Sequence, residues 1–191
     1  MVVINKLREK MSIIYENQVF EIINIEHFKM ARAKAFVKIK LKNWKTKKIS
    51  LLTVPSNKKF EIAFIKTIKA IFLYSDHNYY YFLNQKTYQQ ILVLKPNFTQ
   101  FELLLAANQE VELITFEKDI LEIILPEKII LKVKSAASAI KGDSVNKAYK
   151  YVKLETNLKI LVPLFINKDD HIILNSRTLK YVSRFQKKSK N

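Results

Sequence analysis

The chain has 191 residues, no cysteine and a single glycine, and its 34 Lys and Arg against 17 Asp and Glu leave a formal charge of +17 at pH 7. Zero cysteine excludes disulfides, thiol nucleophiles, iron–sulfur clusters and cysteine-based zinc sites, and one glycine excludes the Walker and dinucleotide phosphate loops. Apolar residues at 49%, with 12% aromatics, are enough to build a packed core in one domain or a few small ones. No run approaches the roughly 18 uninterrupted apolar residues of a membrane span, and Lys6 and Arg8 arrive before a signal-peptide core can form. The sequence therefore reads as soluble and cytoplasmic. A charge of this sign favours polyanions, nucleic acid ahead of an anionic membrane surface.

In chain order, the first predicted strand is Val19–Phe28. In Ala35–Lys42, Val37, Ile39 and Leu41 alternate with Lys38, Lys40 and Lys42, which predicts a half-buried strand with a basic outer face. Strands follow at Lys47–Val54, Ile68–Tyr74, Asn78–Leu83 and Gln90–Leu94. Phe98–Ala107 lacks alternation, and its Leu and Ala content predicts a short helix. The remaining strands are Glu110–Phe116, Ile120–Leu125, Ile129–Lys134, Ala148–Leu154, Ile160–Phe165, His171–Leu174 and Lys180–Ser183. So many short strands predict an all-β chain of small barrels, with breaks near Ile65 and Glu127 giving three segments of about 60 residues, near the lower size for independent folding. With glycine so scarce, Asn43, Asn84 and Asn157 are expected at positions with φ > 0.

Few segments can carry chemistry. Phe28–Ala35 reads as a hairpin tip in which small neighbours leave Arg32 to project. No acid occurs from Phe28 through Lys48, while Lys29, Arg32, Lys34, Lys38, Lys40, Lys42, Lys45, Lys47 and Lys48 are all basic. Such a hairpin can track a phosphate backbone, and reads equally well as a solvated face in a lysine-rich chain. The lone glycine stands in Ile140-Lys141-Gly142-Asp143-Ser144, where the backbone can approach a ligand, although an ordinary turn explains it more simply. His27, His77 and His171 are scattered without metal-ligand spacing. Asp169-Asp170-His171 reads as a turn into a strand. Tyr79-Tyr80-Tyr81-Phe82 can be a stacking platform for bases, but alternation into a core with cross-strand pairs accounts for it as well and is preferred. No nucleophile–base pairing stands out, so the sequence gives no sign of an enzyme.

Leu154-Glu155-Thr156-Asn157 leads to Val162-Pro163-Leu164-Phe165-Ile166, and Ser176-Arg177-Thr178 to Tyr181-Val182-Ser183-Arg184. Upstream stand Ala35-Phe36-Val37 with Lys40-Leu41-Lys42-Asn43, and the Lys141-Gly142-Asp143-Ser144 loop. In this order and at this spacing they resemble bacterial translation elongation factor P, from the first strand to about Arg184. The resemblance implies three consecutive small β-barrels: an SH3-like (KOW-type) domain over 1–64 with the basic tip, an OB-fold over 65–127 holding the short helix, and a second OB-fold over 128–185. Residues 186–191 are then a frayed basic tail.

It also implies a monomeric factor without cofactor, metal or catalytic residue. Such a factor binds the 70S ribosome between the peptidyl-tRNA and exit sites and relieves stalling at consecutive prolines by positioning the peptidyl-tRNA acceptor end. In this reading Arg32 contacts the tRNA, supported by Lys29, Met30, Ala31, Ala33 and Lys34. Lys38, Lys40, Lys42 and Lys45 meet ribosomal RNA backbone. Gly142, Asp143 and Ser144 lie by the exit-site codon of the mRNA and the small subunit, and Tyr181 and Arg184 make third-domain ribosome contacts.

Three departures from the family stand out. Met30-Ala31-Arg32-Ala33 replaces the usual Pro-Gly-Lys-Gly or Pro-Gly-Arg-Gly, Asn157 stands where the family has glycine, and +17 replaces the usual acidic balance. The tip residue is extended by a modifying enzyme in many members. Arginine at 32 fits rhamnose or no modification and argues against lysylation, with Lys34 as a fallback cation. The alternatives are a generic RNA- or single-strand-binding OB protein and a divergent paralogue of the factor. Initiation factor 5A resembles the first half but lacks a third barrel.

Overall fold

The computed structural model describes residues 1–28, 35–136 and 149–186. Sixteen strands dominate them: β1 Val2–Val3, β2 Ser12–Tyr15, β3 Gln18–Phe28, β4 Phe36–Asn43, β5 Ile49–Pro55, β6 Lys59–Ile62, β7 Ile65–Ser75, β8 Tyr79–Asn84, β9 Gln90–Leu94, β10 Glu110–Phe116, β11 Asp119–Ile124, β12 Lys128–Ala136, β13 Tyr149–Leu154, β14 Lys159–Pro163, β15 His171–Asn175 and β16 Tyr181–Arg184. They form three sheets, in the orders β1-β6-β2-β3-β4-β5, β11-β10-β7-β8-β9 and β14-β13-β12-β15-β16. The all-β expectation is what the structure shows. Compactness divides the chain into two units, Met1–Thr67 with Leu113–Glu122, and Ile68–Glu112 with Ile123–Asn191.

In the first unit, alternation acts as the pattern requires. Val37, Ile39 and Leu41 of β4 are buried against Ile4, Leu7, Ile13, Ile22 and Phe60, while Phe36 and Lys40 face outward. Each such side chain contributes on the order of 1.5–3 kcal/mol by leaving water. In the second unit, Leu131, Val133, Leu154, Val162, Ile172 and Leu174 form another core. There β14 also meets β16, so the third sheet curls back on itself.

The tyrosine run is split by the pleat. Tyr80 and Phe82 are buried with Phe72, edge-on at centroid distances of 6.1 and 5.5 Å, and Tyr79 and Tyr81 point the other way. The helix expected within Phe98–Ala107 is present as a short 3-10 turn, Thr99–Phe101, extended by one turn in which Leu105 N–H donates to the Phe101 carbonyl at 3.1 Å. Burial of Phe98, Leu104 and Leu105 fixes it despite its length.

Asn157 takes φ 69°, as expected, but Asn43 and Asn84 do not take positive φ. They work through their side chains instead. Asn43 Oδ1 accepts from Lys45 N–H and Thr46 N–H, both at 2.9 Å, and the left-handed residue comes four positions on, at Lys47. The same turn recurs after Asn84, which accepts from Lys86 and Thr87 N–H before Tyr88 at φ 57°. It recurs again after Asn175, which accepts from Arg177 and Thr178 N–H before Leu179 at φ 57°. Asn43-Trp44-Lys45-Thr46, Asn84-Gln85-Lys86-Thr87 and Asn175-Ser176-Arg177-Thr178 are therefore one hairpin device used once in each sheet. The Asn cap holds the turn closed, which offsets the cost of a left-handed residue that is not glycine.

Candidate nucleic-acid interface

The long hairpin β3–β4 stays paired to its end, where Phe28 and Phe36 face each other. Ser56 N–H donates to the Ala35 carbonyl at 3.0 Å, so the returning limb is tied on its far side too. The tip that this hairpin carries, with Lys29, Met30, Ala31, Arg32, Ala33 and Lys34, lies outside the described residues, as does Gly142-Asp143-Ser144.

Behind the tip, Lys38, Lys40 and Lys42 share the outer face of β4. The acid-free stretch in sequence is not acid-free in space, because register sets Glu26 opposite Lys38 and Glu21 opposite Lys42. Lys40 alone of the three faces a neutral residue on that side, Asn24. Opposite charges across a ladder attract by a fraction of a kcal/mol to about 1 kcal/mol, so part of this cationic face is already compensated. Lys38 also sits with its Nζ 4.6 Å from the centre of the Phe28 ring, a cation–π contact at the root of the tip.

Lys45 and Lys47, in the β4–β5 turn, pair with Asp119 and Glu122, each at 2.7 Å. The Lys45 and Asp119 side chains are 62% and 61% exposed, and pairs so open to water contribute only about 0.2–1 kcal/mol. Lys45 can therefore exchange Asp119 for a phosphate at little cost.

In the third sheet, Tyr181 and Arg184 occupy β16, opposite Leu174 and Ile172 of β15. Burial raises the Tyr181 phenol above its ordinary value, and Arg184 Nη1 lies 3.9 Å from Asp170 Oδ2. Asp169-Asp170-His171 is the turn into β15: Asp169 has φ 68° and pairs with Lys132 at 2.9 Å. That hydrogen bond first, and the charge of Lys132 second, hold the Asp169 carboxyl below its ordinary range. Among the described residues no group of three or more His, Asp or Glu could hold a metal ion, and no helix is long and apolar enough to cross a membrane.

A signal that whole-chain charge conceals is its partition. Residues 1–64 hold 14 Lys and Arg against 5 Asp and Glu, a net of +9; residues 65–127 hold 5 against 8, a net of −3; residues 128–191 hold 15 against 4, a net of +11. The basic character is confined to the two ends of the sequence.

Three family models match in tandem: the elongation factor P KOW-like domain over residues 4–60, the elongation factor P OB domain over 65–123, and the elongation factor P C-terminal domain over 129–184. Elongation factor P of Phytoplasma australiense is 39% identical over 181 residues, covering 94% of this chain and 96% of its own. The chain belongs to the elongation factor P family. It is a translation elongation factor, in which a KOW-like segment precedes OB segments. Elongation factor P of Mesomycoplasma hyopneumoniae strain 7448 is 34% identical over 184 residues, 96% of this chain and 100% of its own. The solved eukaryotic translation initiation factor 5A from Methanococcus jannaschii shares fold alone, with a TM-score of 0.51 and 18% identity over 65% of this chain and 93% of its own.

Proposed function

We propose that this factor binds the 70S ribosome between the peptidyl-tRNA and exit sites and speeds peptide-bond formation at consecutive prolines. It does so by holding the peptidyl-tRNA acceptor end against the tip around Arg32. The family and the paired run of β3 and β4 to Phe28 and Phe36 support this reading: an antiparallel ladder closed up to the root of the tip is a stiff mount for one long cation. Lys29, Met30, Ala31, Ala33 and Lys34 support Arg32. Lys38, Lys40, Lys42 and Lys45 meet RNA phosphates, with Lys40 the least compensated. Gly142, Asp143 and Ser144 lie by the exit-site codon, and Tyr181 and Arg184 contact the ribosome from the third domain.

In this proposal the factor works as a monomer in the cytoplasm, in three domains over 1–64, 65–127 and 128–185, and no residue of the chain enters the reaction. Aligning two reactants can remove up to about 7–11 kcal/mol of a barrier, and steadying the acceptor end draws on a fraction of that. The ribosome performs the transfer, so the chain needs no general base and no cofactor. Arginine at 32 suits either a modifying enzyme that adds rhamnose or no modification at all.

The test is Arg32→Ala, assayed for ribosome affinity and for the rate of peptide-bond formation on a proline run. The expected outcome is a large loss of rate with affinity nearly unchanged. A uniform loss of affinity with no proline dependence would instead mark a generic RNA-binding OB protein.

A further inference from the structure

We propose a second RNA-contacting surface in this protein: a groove on the third sheet that takes single-stranded RNA by stacking bases on Tyr149 and Tyr151 while Lys159 and Lys180 meet its phosphates. The groove measures about 660 Å³ and runs between the β13–β14 hairpin and β16. Val152 and Leu154 of β13 point into the core, so Tyr149 and Tyr151 point out, and they are 51% and 65% exposed.

Register orders the outer face in rungs. Tyr149 lies opposite Pro163, Tyr151 opposite Leu161, and Lys153 opposite Lys159. Apolar rungs that bases can cover thus run directly into a cationic rung, and Lys180 stands on the far wall. Residues two apart on a strand are separated by about 6.7 Å, roughly twice the rise of a stacked nucleotide. That spacing suits successive bases of an extended strand.

Two further observations select RNA over other occupants. None of the groove's lining residues is acidic, and the segment 128–191 has a net charge of +11, so the partner carries negative charge. The rings are also unengaged: among the described residues neither Tyr149 nor Tyr151 packs against another aromatic ring. The other outward tyrosines differ. Tyr74 and Tyr81 stack on each other at 4.5 Å, and the Tyr81 hydroxyl donates to Asp76 Oδ2 at 2.6 Å. That face is already occupied by itself and carries an acid.

The experiment measures binding of a fluorescent oligouridine of about ten nucleotides to the full chain across a salt series. Tyr149→Ala with Tyr151→Ala is expected to weaken binding at least about tenfold, because stacking on each ring is removed. Tyr149→Phe with Tyr151→Phe keeps the rings and is expected to keep the affinity. Lys159→Ala with Lys180→Ala is expected to reduce the salt slope by about 0.7 for each phosphate that is no longer neutralised. Lys86→Ala, at an exposed residue of the β8–β9 turn in the middle sheet, is expected to leave oligouridine binding unchanged.

Unchanged affinity in the alanine pair, or an equal loss in the phenylalanine pair, overturns the proposal. So does duplex RNA binding with the same dependence on the two tyrosines. Polyglutamate bound through the same two rings would assign the groove to an acidic protein and equally overturn it. Thermal melts of each variant check that these exposed substitutions leave the fold intact.

Discussion

The middle and last thirds of the chain match OB-type and C-terminal models of one family, yet they present opposite surfaces. Each builds a five-stranded sheet, and each closes a hairpin with the same Asn-capped turn, after Asn84 in one and Asn175 in the other. Residues 65–127 nevertheless carry −3 and residues 128–191 carry +11. The outward tyrosines follow that divide: Tyr81 is bonded to Asp76, while Tyr149 and Tyr151 line a groove with Lys159 and Lys180. A genome-wide lean toward lysine would raise all segments together. An acidic middle between two basic ends is a distribution that such a lean alone does not produce.

The contrast is expected to stop at the surface. Phe82→Ala in the middle sheet and Leu131→Ala in the third remove side chains that are fully buried. They should cost about 3–5 and 2–5 kcal/mol respectively, read as urea-midpoint shifts at constant slope. A much smaller loss at either site would mean that one of the two cores is loosely packed. Next in size is a matched charge exchange among exposed lysines. Lys128, Lys134 and Lys168 changed together to Gln should flatten the salt dependence of RNA binding by up to about 2 in slope. Lys66, Lys86 and Lys118 changed to Gln should barely move it. Equal effects from the two sets would erase the distinction between the segments.

A smaller effect tests the shared turn. Tyr88 holds φ 57° and is exposed, so Tyr88→Gly relieves the left-handed strain and loses little packing. After glycine's larger unfolded-state entropy is subtracted, it should stabilise the chain by about 0.5–1 kcal/mol. Destabilisation would show that the ring itself is needed there.

The smallest effect is in acid. Asp76 is held below its ordinary 3.8 first by the Tyr81 hydroxyl, and Asp169 below the same value first by Lys132. A depressed carboxyl stabilises the fold above its unfolded value, and that contribution disappears as pH falls through the lowered one. Asp76→Asn and Asp169→Asn should each lower the urea midpoint slightly at pH 7 and leave it nearly unchanged well below pH 3.8. A loss of the same size at both pH values would point to a role other than charge.

Much of this fold is legible in the residues because burial imposes a period. Val37, Ile39 and Leu41 announce β4, and Gln90–Leu94 coincides with β9. The strands that escape notice are β1 Val2–Val3, β2 Ser12–Tyr15 and β6 Lys59–Ile62, all too short to show a period and held by pairing with one another. The Asn turns are half legible. The residue type is right, but the left-handed position falls on Lys47, Tyr88 and Leu179, which only the threefold Asn-x-Lys/Arg-Thr recurrence would have disclosed. At the candidate interface the cationic residues are plain in one dimension. That Glu21 and Glu26 stand opposite two of them is a matter of register, which no local pattern contains. Tyr149 and Tyr151 escaped because an outward tyrosine on a strand looks the same in sequence as a buried one.

The most direct test of the account is the rate of peptide-bond formation on 70S ribosomes stalled with a peptidyl-tRNA ending in consecutive prolines, with and without the purified factor. Marked acceleration is expected on the proline run and little on a run of phenylalanines, with the acceleration abolished in Arg32→Ala. Equal acceleration of both runs, or a proline effect that survives Arg32→Ala, would contradict it.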